Sequence, residues 1–197
     1  MPARHVAIVG GGASGVLVAI NALRLGGPSL RVEVIEPTPE IGRGIAYGTT
    51  ADEHLLNVPA SGMSAFPDEP NHFLEWASVD EGVFVPRHSY GSYLQELLST
   101  SIGTSKASFA HRQSRATRIG TTRSRLSVEL DDGQQMSPDA IVLATGVERP
   151  SIPVSLQALI GNDLLVDNPW NPGQIQRVGT AGNILVVGSG LTAVDLA

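Results

Sequence analysis

Val6-Ala7-Ile8-Val9 is a short unbroken apolar run that ends in Gly10-Gly11-Gly12. This pattern predicts a buried parallel strand entering a tight turn. From Ala13 to Leu25 the apolar residues Val16, Leu17, Val18, Ala19, Ile20, Ala22 and Leu23 fall nearly all round a helix, which Gly26-Gly27-Pro28 stops. A second strand is expected over Arg31 to Ile35, leading into Glu36-Pro37. Together these make one βαβ unit.

The next stretch, Pro37 to Pro86, loses periodicity and is rich in Gly, Pro, Asn and Ser, with one helical piece at Asn71 to Ala77. A loop-rich segment of this length inside a compact domain is functional more often than ornamental. Ser89 to Ser101 carries Tyr90, Tyr93, Leu94, Leu97 and Leu98 at helical spacing. Then the period changes. Ala107 to Ile119 and Arg125 to Leu130 alternate, Asp131-Asp132-Gly133 predicts a hairpin turn, and Ala140 to Ala144 reads as a buried parallel strand ending at Thr145-Gly146. Asn183 to Val187 repeats the opening pattern, a buried strand running into Gly188-Ser189-Gly190 and a helix from Leu191. The expected organisation is a domain over 1–150 with its loop-rich insert at about 37–105, a linker over 151–182, and the start of a second dinucleotide-binding unit over 183–197. The fold class expected is α/β, a Rossmann-like three-layer sandwich with a parallel sheet and a small antiparallel meander.

Composition narrows the chemistry. The 197 residues include no cysteine, which removes disulfides, thiolate metal sites and a cysteine nucleophile, so redox chemistry would need a cofactor. Hydrophobic residues at 42% against 16% charged exclude wholesale disorder. Thirteen basic and nineteen acidic residues give a net charge of −6, which offers no global attraction to nucleic acid or anionic lipid. Neither partner is expected, whereas a small-molecule substrate of unknown kind is. Homo-oligomerisation stays open. The N-terminus reads as neither a signal peptide nor a membrane span, and a cytoplasmic location is the default expectation.

Gly10-Gly11-Gly12-Ala13-Ser14-Gly15 satisfies G-x-G-x-x-G. It follows a predicted strand, opens a predicted helix and precedes an acid, Glu36, at the end of the next strand. In that context Gly10 serves the turn, Gly12 the close approach of backbone to a pyrophosphate, Gly15 the packing of helix on strand, and the helix N-terminus the negative charge. Glu36 suits ribose hydroxyls and disfavours a 2′-phosphate at this first unit.

Further motifs carry a resemblance. Gly10 to Gly15 with Glu36, Gly42-Arg43-Gly44-Ile45-Ala46-Tyr47-Gly48-Thr49, His54-Leu55-Leu56-Asn57-Val58-Pro59-Ala60, and Phe84-Val85-Pro86-Arg87 before Tyr90-Gly91 resemble bacterial FAD/NAD(P)-binding flavoproteins. More distantly the pattern is similar to the N-hydroxylating and Baeyer–Villiger flavin monooxygenases. The resemblance implies FAD as cofactor, with NAD(P)H used by the complete protein. By position it implies that Gly10, Gly12, Ala13, Ser14 and Gly15 contact pyrophosphate and that Glu36 and the adjoining Pro37 lie at the adenosine ribose. Arg43 and Gly44 would cover the dinucleotide, Asn57 and Met63 would approach the flavin end, and the strand near Ala116 would hold the adenine. Thr145 and Gly146 would border the cofactor from the other side. Gly188, Ser189 and Gly190, with Ala193 in the third glycine's place, resemble the start of the NAD(P)-binding unit. The resemblance also implies that the chain corresponds to the N-terminal part of a longer flavoprotein, inactive alone.

No catalytic base stands out, and no metal is expected: His54, His72 and His88 lack helical i, i+4 spacing and read as surface or structural histidines. The basic run Arg112, Arg115, Arg118, Arg123 and Arg125 reads as the solvated edge of a small sheet, and Trp76 and Trp170 as packing residues. Two other readings remain open on sequence alone: a non-catalytic dinucleotide-binding redox-sensing or interaction module, and an NAD-only oxidoreductase.

Overall fold

Every second residue of the first strand faces a different core. In a computed structural model that describes residues 4–122, 125–146, 151–171, 174 and 183–196, β1 (Arg4–Val9) pairs in parallel with β2 (Leu30–Ile35), placing Val6 opposite Val32 and Ile8 opposite Val34. Ile8, Val32 and Val34 pack with Val16, Ala19, Ile20 and Leu23 of α1 (Ala13–Leu25) and with Tyr90, Tyr93, Leu94 and Leu98 of α3 (Arg87–Thr104). Ala7, Val9 and Ile35 point the other way and meet Val128 and Leu130 of a small antiparallel sheet. Period-two side-chain alternation in a sheet covered on both faces produces this division into two cores.

The main sheet is completed by β3 (Ser108–Arg112) beside β2 and β7 (Ala140–Leu143) beside β1, giving the order β3-β2-β1-β7 with every pairing parallel. The second sheet has the order β4-β5-β6, from β4 (Ala116–Thr121), β5 (Leu126–Leu130) and β6 (Gln135–Met136). The short helix α2 (His72–Ala77) lies in the loop-rich region and packs Phe73 against the first core. The contacts cluster into two units, Met1–Gly146 and Val147–Ala197.

Three expectations need correction. The alternating stretch Ala107 to Ile119 is two strands in two sheets, not one. Asp131 makes the corner: its carboxylate accepts hydrogen bonds from the Ser114 hydroxyl at 2.5 Å and the Arg115 amide at 3.0 Å, and its own amide donates to the Arg115 carbonyl. Second, β7 is half exposed rather than buried, because it is an edge strand of the described sheet. Third, Asn183 to Val187 is not a strand. It runs exposed, with Leu185 at 87% exposure, and pairs with no strand among the described residues. An apolar run becomes a strand only where a neighbour completes its ladder. The second unit otherwise holds a 3-10 turn at Val154–Leu159 and a short helix, Leu191–Leu196.

Arg112 is likewise no solvated edge charge. Its Nε donates to Glu33 Oε1 at 2.7 Å, and Glu33, on the central strand β2, is 1% exposed. Arg31 donates to Glu33 Oε2 at 2.7 Å, and His5 Nε2 lies 3.1 Å from the same oxygen without hydrogen-bond geometry. A second Arg112 donor reaches Gln134 at 3.1 Å, beside β6, so one guanidinium ties the two sheets together. Burial alone would push the Glu33 carboxyl up, but the Arg112 hydrogen bond and the charges of Arg31, Arg112 and His5 outweigh it and hold the group below its ordinary value. Among the described residues no helix is long and apolar enough to cross a membrane.

Candidate functional site: a glycine-lined loop at the N-terminus of the first helix

The turn between β1 and α1 is shaped by backbone contact. Gly10 sits at φ +106°, and a Cβ there would overlap the Ala144 carbonyl, where β7 ends. A Cβ at Gly15 would overlap the Gly10 carbonyl and come within 3.3 Å of Ile8. These two glycines let β1, β7 and α1 converge. Gly12 differs: its φ of −69° suits any residue, and a Cβ would meet only the Gly44 Cα, at 3.7 Å.

Gly12 caps α1 without a side-chain hydrogen bond, and the first turn holds no acid. The amides of Gly12, Ala13, Ser14 and Gly15 have no acceptor among the described residues, while Val16 already donates to the Gly12 carbonyl. Four free donors at the positive end of a helix dipole are an arrangement suited to an anion. Ser14 adds an exposed hydroxyl to the same turn.

Glu36 is held in front of this loop. Its Oε2 accepts the Gly11 amide at 2.9 Å, and its Oε1 accepts the Thr38 amide at 3.2 Å and hydroxyl at 3.0 Å. Pro37 follows, half-buried. The Gly11 carbonyl in turn accepts the Gly42 amide at 2.7 Å. A Cβ on Gly11 would stand 2.6 Å from Ile41 and 2.7 Å from Glu36, so this glycine is constrained by close side chains, unlike Gly12. Reading G-x-G-x-x-G left the second position without a role. The available signal was the triple glycine itself, since a third glycine marks a further close approach.

The segment 42–48 lies against the loop. Gly44, at φ +57°, would place a Cβ 3.1 Å from the Gly12 Cα. Arg43 does not reach toward Gly12: it donates to Gln95 at 3.0 Å and Ser92 at 3.2 Å on α3. Gly91 makes that seat possible, because a Cβ there would come within 2.8 Å of the Tyr47 carbonyl and 2.9 Å of Arg43. We expect Gly91→Ala to push the 42–48 segment off α3, seen as faster proteolysis between Arg43 and Tyr47 with α1 and the sheet still protected in hydrogen exchange.

A second loop, 54–60, is fastened by Arg87, which is 8% exposed. Its Nε donates to the Leu55 carbonyl at 2.8 Å and a terminal nitrogen to Asn57 Oδ1 at 2.9 Å. The Leu56 amide donates to Val85 and the Arg87 amide to His54. Asn57 is exposed, whereas Met63 is half-buried against the first core. Burial pushes the Tyr47 phenol up, and the Arg87 charge opposes this.

Thr145 and Gly146 follow β7 and are exposed, with the Thr145 amide nitrogen 3.3 Å from a Cβ built on Gly10. The structure therefore brings together Gly10, Gly12, Ala13, Ser14, Gly15, Glu36, Gly44 and Thr145. Ala116, at the start of β4 and paired with Leu130, packs against the second core, which includes Val9 and Ile35. In the second unit Gly188, at φ +121°, Ser189 and Gly190 are exposed and precede the short helix that contains Ala193. His54 meets Thr49, His72 meets Tyr93 and His88 meets Asp52, and the described residues contain no cluster that could hold a metal.

A family model for FAD-NAD(P)-binding proteins matches residues 7–148, from the first strand to just past Gly146. The chain belongs to this FAD-NAD(P)-binding family.

No curated protein matches the FAD-NAD(P)-binding chain in sequence. Among solved structures it is similar to a flavin-containing monooxygenase from Stenotrophomonas maltophilia, at 24% identity and a TM-score of 0.52 over 77% of this chain and 42% of that one. An oxidized steroid monooxygenase bound to NADP gives 21% and 0.56 over 76% and 27%. S-allyl-L-cysteine S-oxygenase from Allium sativum gives 20% and 0.52 over 77% and 39%. These likenesses show the fold, and the chain spans less than half the length of each of the three.

The residues present fit a dinucleotide. Free helix amides offer donors to a pyrophosphate, Gly12 leaves room for it, and Glu36 presents a fixed carboxylate one strand away.

Proposed function

We propose that this chain is the FAD-binding portion of an NAD(P)H-linked flavin oxidoreductase of the monooxygenase kind. The observation that carries the reading is the set of unbonded amides from Gly12 to Gly15, facing the same loop that Glu36 grips through Gly11. Those amides would bind the pyrophosphate oxygens, and Glu36 would accept from the adenosine ribose hydroxyls. Gly44 would close over the dinucleotide and Thr145 would border it beside Gly10. Asn57, fixed by Arg87, would face the flavin end. When bound, the flavin supplies transfer of an electron pair from reduced nicotinamide to an acceptor or to oxygen, and the protein contributes position and electrostatics. The solved structures of similar fold include flavin monooxygenases, which supports this choice of reaction class. A cytoplasmic location, where reduced nicotinamide is supplied, belongs to the same proposal.

Titrating the chain with FAD tests it. Quenching of flavin fluorescence should saturate at one equivalent, and NAD should compete weakly or not at all. Saturable NAD binding that excludes FAD would overturn the reading.

A further inference from the structure

At the end of α1 opposite the glycine loop a second concavity opens, a cleft of about 500 Å³ between the C-terminal ends of α1 and α3 and the segment from Phe66 to His72. Its volume lies in the range of small-molecule sites. Leu23 at 1% exposure, Phe66 at 7% and half-buried Leu97 give it an apolar floor. The 13 residues of α1 set it about 20 Å from the Gly12 turn, so an occupant here would not touch a dinucleotide bound there.

Two cations line the cleft and no acid does. Arg24 is already committed: its guanidinium donates to Asp68 at 3.0 and 2.8 Å and to Glu69 at 2.7 Å, and stacks 4.5 Å over the Phe66 ring. Those carboxylates neutralise it, and it acts as a wall. Lys106 differs, for it is exposed and has no partner among the described residues. The hydroxyls of Thr104 and Ser105 are spent on the carbonyls of Thr100 and Leu23, at 2.9 and 2.7 Å, whereas those of Thr100 and Ser101 donate to nothing among the described residues. A cation would meet Lys106 with no counter-charge on the lining, and a sugar would leave the apolar floor unmatched. With the negative ends of two helices close by, one negative charge is matched better than two.

We propose that this cleft binds a small monocarboxylate with an apolar body. The carboxylate pairs with the Lys106 ammonium and accepts from the Thr100 and Ser101 hydroxyls, while the body lies along Leu23, Phe66 and Leu97. Affinity then comes chiefly from apolar area removed from water, and the exposed ion pair selects the acid over a neutral molecule of the same length. The site is separate from the dinucleotide loop, and it stands whether or not the flavin reading does.

Octanoate is the probe, titrated into the isotopically labelled 197-residue chain and followed by amide chemical shifts in nuclear magnetic resonance. Saturating shifts should be confined to residues 24–26, 66–72 and 97–106, with the same midpoint in the presence of FAD. Hexanoate, two methylenes shorter, should bind about tenfold more weakly. Lys106→Met should weaken octanoate about fivefold and leave the binding of octanol, which has no charge, unaltered. Thr100→Trp fills the cleft and should abolish saturation by both. Both substitutions fall at exposed positions, and the rest of the spectrum shows directly that each variant is folded. Shifts scattered over the surface, no saturation in the millimolar range, octanoate displaced by FAD, or octanoate bound equally well by folded Lys106→Met would each sink the proposal. A chain that fails to bind FAD can still pass this test, and one that binds FAD can still fail it.

Discussion

Alanine at Gly10 should unfold the first domain more readily than alanine at Gly12, while only the second variant should keep its fold and lose the dinucleotide. At Gly10 the new methyl meets the Ala144 carbonyl in a backbone conformation of φ +106°. Neither problem can relax, because Ala144 is pinned by its own amide donating to Val9 at 2.8 Å. Left-handed strain and overlap together should lower the unfolding free energy by about 3 kcal/mol. At Gly12 the methyl finds ordinary contact with Gly44 and an allowed backbone, so stability should stay within about 0.5 kcal/mol of the parent. The same methyl occupies the space proposed for the pyrophosphate. An overlap of about 1–3 kcal/mol corresponds to about a 5- to 150-fold weaker Kd for FAD. Urea midpoints and FAD titrations on the two variants measure both halves. Full-strength FAD binding by Gly12→Ala would remove the pyrophosphate from this loop.

The second large effect concerns the buried acid. Arg112→Met takes away the cation that donates to Glu33 Oε1 and leaves that oxygen buried beside Arg31 and His5 alone. Breaking one arm of a buried ion network should destabilise the chain by about 3 kcal/mol at pH 7. Acid should narrow the difference. Glu33 titrates lower in the folded chain than when unfolded, so its contribution is complete above the unfolded value, about 4.3, and is lost as pH falls through the folded one. Unfolding free energies measured from pH 7 down to pH 3 should therefore converge for parent and variant. Glu33→Gln should flatten the acid limb of the parent curve. A variant parallel to the parent across that range would show that the cluster contributes nothing through charge.

The contrast between these two sites shows what the sequence makes legible. The opening βαβ unit is written locally: an apolar run, three glycines, an all-round apolar helix and an acid after the next strand lie within some three dozen residues, and each bears on its neighbour. Glu33 carries no such mark. One residue in an alternating strand, it looks like any outward-facing acid, and only the parallel register that sets Ile35 opposite Arg112 brings its partner alongside. The corner at Ser114 is hidden for the same reason, since Asp131 makes it from the far end of β5. Asn183 to Val187 is the converse case, an apolar run with a strand's local pattern and no neighbouring strand among the described residues. Within the site, the glycines could be found by spacing, but the turn of Arg43 toward α3 could not. It depends on Gln95 and Ser92, half a chain segment away, and on a helix glycine that lets the loop come close.

Both peptide groups of Gly11 have fixed partners, its amide donating to Glu36 and its carbonyl accepting from the Gly42 amide. Both ends of the 36–42 segment are thereby locked to the loop before any ligand arrives. A dinucleotide entering here would meet a finished mould, with little ordering entropy left to lose at its adenosine end. Encounter should then be a single step whose rate scales with ligand concentration without levelling off, and changes in affinity should show up mainly as changes in the time the ligand stays.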